Sequence, residues 1–316
     1  MFKYVLKRIL LMIFTFLVII TMCFFLIKLL PNPLVAQAGK DYELLLNRRK
    51  LLGYDKPLLE QYFIFVRKTL IGGDWGLSEK LYPAQECWGI FVNKLPPTMY
   101  INLLSMLLSV PLGLGLGIFA ALKKNKWQDH VISTGVMIFI SVPSYVYAFL
   151  VQHFLCFEFG WFPLQLNDGR DFLSLSMLLS AVPAVLSLSF GTIAGLTRFT
   201  RAELTEVLTS EFMLLARTKG LTKAQATRRH ALRNSMVPIF PSILGEFIGI
   251  IGGSLIIEQI FGVPGVGALY INSVTALDYN MFMLLSAFYC AIGLVSGIVI
   301  DLSYGFIDPR IRMGER

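Results

Sequence analysis

The residues most able to do chemistry in this chain are few and scattered. It has three histidines, His130, His153 and His230, and four cysteines, without a Cys-x-x-Cys pair or a His/Cys cluster at metal-ligand spacing. The phosphate loop G-x-x-x-x-G-K-[ST], the G-x-S-x-G nucleophile motif and the H-E-x-x-H zinc motif are also absent from the sequence. We therefore expect no metal site, no bound cofactor and no enzyme active site. If ATP drives this protein, another chain hydrolyses it.

One acidic residue stands out because apolar residues surround it. Glu246 lies within the apolar segment 237–257, and a carboxylate inside a membrane is costly, so such a residue is a functional candidate. Three interpretations are open: it lines a polar pathway, pairs with a basic group, or lies in an interface. Glu258 and Asp278 follow at the boundary of the apolar region and are interpreted as solvated loop residues.

The composition predicts the elements that must position these residues. Apolar residues make up 55% of the 316 positions and charged residues 15%, and the mean hydropathy is +0.66, whereas soluble domains carry about 25% charged residues. About 20 apolar residues in a helix cross the hydrocarbon core. Six segments fit, namely 9–30, 99–122, 131–154, 172–196, 237–257 and 281–300. We predict an all-α polytopic membrane protein with six transmembrane helices.

The basic residues predict the orientation of these spans. They cluster before the first span, after the second, after the fourth and after the last, as Lys3, Lys7, Arg8, Lys123, Lys124, Lys126, Arg198, Arg201, Arg217, Lys219, Lys223, Arg228, Arg229, Arg233, Arg310, Arg312 and Arg316. By the positive-inside rule these regions and both termini are cytoplasmic. The net charge of +8 then follows from topology and requires no nucleic-acid partner.

Two alternatives concern the predicted external side. Val35-Ala36-Gln37-Ala38 resembles a signal-peptidase site, but cleavage there would leave five spans and invert the basic loops, so we expect the first span to be retained. Cys87 and Cys156 are both predicted to be external, and a disulfide between them is an open alternative to two free thiols.

The predicted external loop 31–98 is structured. Pro57 suits the first turn of a helix that presents Leu59, Tyr62, Phe63, Val66 and Leu70 on one face before Gly72-Gly73 ends it. This helix either caps the bundle or receives a partner.

Glycines recur within the spans at four-residue spacing, as Gly113/Gly117, Gly191/Gly195, Gly245/Gly249 and Gly293/Gly297. Such pairs let helix backbones approach closely. We interpret them as helix-packing positions.

The loop after the fourth span carries more helix than a connection needs. Residues 211–219 predict a polar helix, Gly220 interrupts it, and a second basic helix follows until Pro238 re-enters an apolar segment. The simplest explanation is a docking site for something outside the membrane.

This loop resembles the EAA loop of binding-protein-dependent ABC importer permeases, and in particular the B-type subunit of the dipeptide/oligopeptide/nickel branch. The matching segments are Ala216-Arg217-Thr218-Lys219-Gly220 and His230-Ala231-Leu232-Arg233-Asn234 with Pro238. Further matches, in the same order along nearly the whole chain, are Tyr4 to Arg8, Leu52 to Pro57, Gly73 to Ser78, Leu95 to Thr98, Ser141 to Pro143, Gly160 to Pro163, Glu258 to Phe261 with Pro264-Gly265, and Asp308 to Arg312.

The resemblance implies a type I ABC importer permease fold in the bacterial or archaeal inner membrane. Residues 1–30 would form a peripheral helix, 31–98 the external loop, and 99–316 a five-helix core with a cytoplasmic coupling loop at 197–236. A second related permease subunit, two cytoplasmic ATPases that use ATP, and an external solute-binding protein would complete it. A self-contained secondary transporter or channel is the alternative. Di- or oligopeptides are the expected cargo, and nickel chelates, glutathione or oligosaccharides are alternatives.

The resemblance also implies which residues couple the chain to its ATPase. The coupling helix would consist of Glu211, Phe212, Leu215, Ala216, Arg217, Lys219 and Gly220. Phe212, Leu215 and Ala216 would enter a groove of the ATPase, and Arg217 and Lys219 would make polar contacts at its rim. Leu214 stands where the family commonly has a charged or small residue, and Leu215 where it commonly has a small one. Glu246 matches no acidic position of the family, so its role is particular to this chain.

Overall fold

The computed structural model describes residues 2–29, 50, 53–167, 169 and 171–307. In chain order the helices are α1 (Phe2–Lys28), α2 (Leu58–Phe65), α3 (Cys87–Leu122), α4 (Trp127–Ser141), α5 (Ser144–Val151), α6 (Leu175–Leu208), α7 (Glu211–Thr218), α8 (Lys223–Ala226), α9 (Leu232–Gly249), α10 (Leu255–Ile260), α11 (Val266–Thr275) and α12 (Tyr279–Ile307). π-Helical segments continue α2, α5 and α8 over Val66–Ile71, Gln152–Glu158 and Thr227–Ala231. In the described ranges the regular structure is helical apart from one isolated bridge between Leu77 and Glu86.

The centre of the bundle is the pair α3 and α6. A β-carbon at Gly113 would lie 2.9 Å from Cβ of Leu196, and one at Gly117 would lie 2.6 Å from Cβ of Thr200. Only glycine permits this approach, so Gly113/Gly117 is confirmed as a packing pair. By contrast, β-carbons at Gly195, Gly249, Gly293 and Gly297 would meet nothing within 4 Å in this chain.

Four helices in the described part of the chain are long and apolar enough to cross a membrane: Val5–Lys28, Cys87–Leu122, Leu175–Leu208 and Tyr279–Gly305. They correspond to four of the six predicted spans. The second begins at Cys87 rather than Met99. Pro96 and Pro97 lie inside the helix and do not end it, because membrane helices tolerate proline where neighbours satisfy the backbone.

The predicted third span is not one straight helix. It consists of Trp127–Ser141 and Ser144–Glu158, which are bent by 100° relative to each other. Pro143 explains the bend, because the residue before a proline is pushed out of the helical region, and Val142 has the extended angles φ −88° and ψ 126°. With the pair counted as one span, the described residues offer five candidates.

The predicted fifth span also ends early. The helix that starts at Lys223 runs without a break to Gly249, and residues 250–254 interrupt it before the short α10. Gly253, with φ +67°, supplies the left-handed turn at this interruption. The sequence prediction of a single helix over 237–257 was therefore wrong beyond Gly249.

The predicted surface helix of loop 31–98 is present as α2 and its π-helical extension. Pro57 precedes its first residue and Gly72 follows its last, as the sequence predicts. Its Tyr62 and Phe65 pack against Phe24 of α1 and against α12. The Thr21 hydroxyl of α1 lies 2.7 Å from the Tyr62 hydroxyl. This loop therefore holds α1 against the rest of the bundle.

Several predicted features lie outside the described residues. They are the Val35 to Ala38 pattern, residues 31–49 of the external loop, and the Asp308 to Arg312 motif with the basic residues around it.

Candidate functional site

Helix α7 is fixed to the bundle by one face. Met213 and Ala216 are buried against Ala121 of α3, Leu204 of α6 and Ala226 of α8. The helix follows Ser210, whose extended backbone (φ −74°, ψ 155°) ends the continuation of α6. We call the part of the molecule formed by residues 119–130 and 198–235 the α7 end.

The other face of α7 is apolar and exposed. Phe212 is 41% exposed, Leu214 64% and Leu215 55%. Glu211, Arg217 and Lys219 are exposed around them. Ala216 does not belong to this face, because it is only 9% exposed and packs against the bundle. The role of Ala216 in an ATPase groove stays a prediction that this packing does not favour, whereas Leu214 lies on the surface that Phe212 and Leu215 share.

Gly220 ends α7 in a Schellman motif. Its φ of +92° is in the left-handed region, its N–H donates to the Arg217 carbonyl at 3.0 Å, and the Leu221 N–H donates to the Ala216 carbonyl at 3.3 Å. Thr222 then starts α8 with a capping box that includes Gln225. These local bonds fix the angle between α7 and α8.

A buried ion pair joins two helices at the α7 end. Asp129, in the first turn of α4, is 1% exposed and accepts hydrogen bonds from two nitrogens of Arg201 on α6, the longer of them 2.7 Å. The Asn125 N–H donates to the same carboxylate at 2.9 Å. The sequence alone does not reveal this pair, because Arg201 is predicted to be one more basic loop residue, whereas α6 extends to Leu208.

Glu246 faces a cavity of about 350 Å³ between α3, α6 and α9. Thr192 and Ser242 also line this cavity, and Glu246 is the one charged residue among its lining residues. Gly191 and Gly195 leave room on the α6 side. The cavity is partly open, and Glu246 is exposed in the single chain. Its carboxylate forms no hydrogen bond or ion pair with any residue that the structure describes.

At the opposite end of α3, Glu258 is fully buried, with 0% exposure. Its Oε2 accepts hydrogen bonds from the N–H groups of Gly267 and Ala268 at 2.8 and 3.1 Å. Its Oε1 accepts one from the Thr98 hydroxyl at 2.9 Å, and that hydroxyl accepts one from the Val266 N–H at 2.8 Å. Glu258 thus caps the N-terminus of α11 and links it to α3. The interpretation of Glu258 as a wet loop residue was wrong.

The electrostatics of Glu258 reflect this burial. The residue follows the last position of the predicted fifth span and lies outside it. Desolvation by burial raises the pKa of Glu258 to about 7, against the hydrogen bonds from Ala268, Thr98 and Gly267, which lower it. A side chain at Gly265 would overlap the Glu258 carboxylate and the Thr98 hydroxyl, which accounts for a glycine after Pro264.

Asp278 plays a similar part in front of α12, and it too is fully buried. Its Oδ1 accepts a hydrogen bond from the Met281 N–H at 3.3 Å. Its Oδ2 accepts from the Ser78 hydroxyl at 2.5 Å and from the N–H groups of Lys80 and Leu81, each at 3.1 Å. It therefore caps α12 and holds the external-loop segment before α3. We call the part formed by residues 74–98 and 258–281 the α11 end.

The cysteines form no bridge. Cys87 and Cys156 are both free and both buried, and Cys87 packs beside Val266 and Met281 in the core of the α11 end. The alternative of a disulfide between them is not borne out. Among the described residues no group of three or more His, Cys, Asp or Glu side chains could hold a metal ion.

The profile described as "Binding-protein-dependent transport system inner membrane component" matches residues 113–313, and its N-terminal companion profile matches residues 1–102. The dipeptide transport system permease protein DppB of Lactococcus lactis subsp. cremoris is 33% identical over 99% of this chain and 100% of its own length. The oligopeptide transport system permease protein OppB of Haemophilus influenzae is 31% identical over the same shares.

Solved structures show a similar fold. A chain from the crystal structure of an amino acid ABC transporter with histidines superimposes with a TM-score of 0.51 at 22% identity, covering 68% of this chain and 92% of that one. A methionine ABC transporter in inward-facing conformations gives a TM-score of 0.50 at 16% identity, covering 68% and 97%. At these identities the similarity concerns the fold alone.

Proposed function

The chain belongs to the family of binding-protein-dependent transport system inner membrane components, and we propose that it is the transmembrane pathway subunit of an ATP-driven importer of di- or oligopeptides. It is an inner-membrane protein, like its relatives. Full-length relatives named for dipeptide and oligopeptide transport support the cargo class. Nickel chelates, glutathione and oligosaccharides are the alternative cargos that a transport assay must include.

The exposed apolar face of α7 carries the proposal that another chain supplies the energy. An apolar patch at the end of a membrane bundle marks an interaction site. Phe212, Leu214 and Leu215 form that patch, while Met213 and Ala216 anchor the helix to α3 and α6. A force applied to the exposed face therefore reaches the membrane helices. Arg217 and Lys219 beside it suit the polar rim of an ATPase groove.

The topology we propose has six spans and cytoplasmic termini. The third span is the bent pair α4 and α5, the fifth is α9, and the α7 end is cytoplasmic. The basic residues Lys123, Lys124 and Lys126 between α3 and α4 support this orientation. Residues 1–30 are then the peripheral helix, 31–98 the external loop and 99–316 the core.

The complete importer we propose contains two related permease chains, two ATPases that bind the ATP, and an external solute-binding protein. This chain itself binds no cofactor and catalyses no covalent step. ATP and the loaded binding protein drive the change between outward-open and inward-open states because each binds one state more tightly.

The test is reconstitution of the purified complex in proteoliposomes with its binding protein. Peptide uptake that requires ATP and the binding protein is the expected result, and uptake only of a nickel chelate, glutathione or an oligosaccharide would contradict the peptide assignment. Phe212→Asp with Leu215→Asp should release the ATPases from the membrane and abolish uptake. Leu173→Asp, which places one such charge on a 96% exposed leucine in the loop before α6, is the control. Retention of the ATPases by the double variant would refute docking on α7.

A further inference from the structure

We propose that the Glu246 carboxylate binds the α-ammonium group of the cargo inside the membrane pathway, so that the permease itself selects for a free amino terminus. This inference rests on the proposed function and adds a substrate determinant to it. It follows from the shape and lining of the cavity between α3, α6 and α9 and from the exposed position of the one charged residue that lines it, which is unpaired in the described part of the chain.

The first step concerns Glu246 itself. It lies on a helix that crosses the apolar region, and the structure gives its carboxylate no hydrogen bond or ion pair among the described residues. The other carboxylates discussed above behave differently: Asp129, Glu258 and Asp278 each accept several hydrogen bonds. Glu246 is exposed on this helix, and an ionisable residue on a membrane-spanning segment marks a functional site. A cation that arrives from outside the chain can pair with this carboxylate.

The second step concerns the space in front of Glu246. The cavity measures about 350 Å³, which is large enough for the first residue or two of a peptide. The hydroxyls of Thr192 and Ser242 face the same space, and no lysine or arginine lines it. The site therefore has one negative charge, on Glu246, with two hydroxyl groups beside it that can donate and accept hydrogen bonds. That combination suits an ammonium group followed by an amide.

The third step concerns what peptides have in common. Their side chains differ, so a carrier for the class must use the α-ammonium group, the backbone amides or the carboxylate. The cavity has no cation for the carboxylate end, whereas Glu246 suits the ammonium end. Val110 and Ile243 also line the cavity, and because they are apolar they select only weakly among the first side chains of different peptides. The cargo would thus pass this point with its amino terminus at Glu246.

The test uses the whole importer with its ATPases and binding protein in proteoliposomes. Uptake of one peptide is compared with uptake of its N-acetyl form, each at a concentration that saturates the binding protein, for the wild type and Glu246→Gln. For each peptide, the uptake by the variant is divided by the uptake by the wild type, and this ratio cancels the preference of the binding protein. Because hydrogen bonds to charged groups contribute about 1.5 to 3 kcal/mol, uptake of the free peptide should fall roughly 10-fold or more while that of the acetylated peptide is unchanged.

Two further variants sharpen the result. Glu246→Asp keeps the charge and should retain the preference for the free amine. Glu158→Gln removes an exposed glutamate of the external side and should match the wild type. Equal loss of uptake for both peptides, or no loss for either, would overturn the inference. Failure of Glu246→Gln to assemble would also overturn it, because the cation that pairs with Glu246 would then belong to the second permease chain. If the wild type takes up neither peptide but carries another cargo, the proposed function fails instead.

Discussion

The two ends of α3 differ in what they bury: one end buries acidic side chains, and the other leaves apolar side chains exposed. At the α11 end, Glu258 and Asp278 are fully buried and accept hydrogen bonds from hydroxyls and from the backbone N–H groups that begin α11 and α12. At the α7 end, Phe212, Leu214 and Leu215 remain exposed. The buried carboxylates of the α11 end have their partners within the chain, whereas the α7 end presents an apolar helix face that fits a partner.

This difference indicates which end holds its shape alone. Buried carboxylates that are fully hydrogen-bonded fix helix positions, since displacing them would leave several donors unsatisfied. The apolar face of α7 has no such partner in the described part of the chain, while Met213 and Ala216 join the helix to the bundle. Substitutions at the α11 end should therefore change stability, and substitutions on the exposed face of α7 should change coupling.

The largest effect is expected for Glu258→Ala. It leaves the N–H groups of Gly267 and Ala268 and the Thr98 hydroxyl buried without their acceptor, at about 1 to 3 kcal/mol for each unsatisfied group. We expect a loss of about 3 kcal/mol or more in the free energy of unfolding, measured by thermal unfolding in detergent. Glu258→Gln is the matched control, because its amide oxygen still accepts from both N–H groups and only the Thr98 hydroxyl loses its acceptor. Similar losses for the two variants would show that the network does not stabilise the α11 end.

A smaller effect is expected at the Asp129–Arg201 pair. Asp129→Ala leaves a partly buried guanidinium unpaired, and we expect a loss of about 2 kcal/mol, below the usual range for buried pairs because Arg201 retains some solvent contact. The double variant Asp129→Leu with Arg201→Met should be more stable than Asp129→Ala, since it removes both charges. Thermal unfolding checks the order. A double variant less stable than the single one would contradict the assignment of the loss to an uncompensated charge.

Gly220→Ala should cost about 1 kcal/mol in the local stability of the loop, because an L-residue is strained at φ +92°. The expected results are faster proteolysis between α7 and α8 and weaker coupling of ATP hydrolysis to uptake. Gly220→Asn is the control, since asparagine tolerates the left-handed region better. If both variants behave as the wild type, the Schellman motif does not set the orientation of α7.

The smallest effect is the pH dependence of the α11 end. Burial raises the pKa of Glu258 from 4.5 to about 7 in the folded protein, so the folded state binds the proton more tightly than the unfolded state. Its stabilising contribution is full below the unfolded pKa and is lost as pH rises through 7. Between about pH 6 and pH 8 the free energy of unfolding should fall by about 1 kcal/mol. Glu258→Gln should remove this slope, and a slope that persists in it must come from another group.

The sequence predicted what short-range signals determine. Proline before α2, the bounds of α7 and the break at Gly220 were all visible, because caps and turns depend on neighbouring residues. The buried roles of Glu258, Asp278 and Asp129 were not visible, because their partners lie far away in the chain: Thr98, Ser78 and Arg201. The bend at Val142 had a local signal in Pro143, but a continuous apolar segment concealed it.

The pair between Asp129 and Arg201 has a mechanical consequence. A contact through one atom resists separation only, whereas two oxygens that accept from two nitrogens of a planar guanidinium also resist twisting. Arg201 lies two turns before the end of α6, the helix that leads into α7. A rotation of α6 about its own axis therefore also turns α4, the first helix of the bent pair.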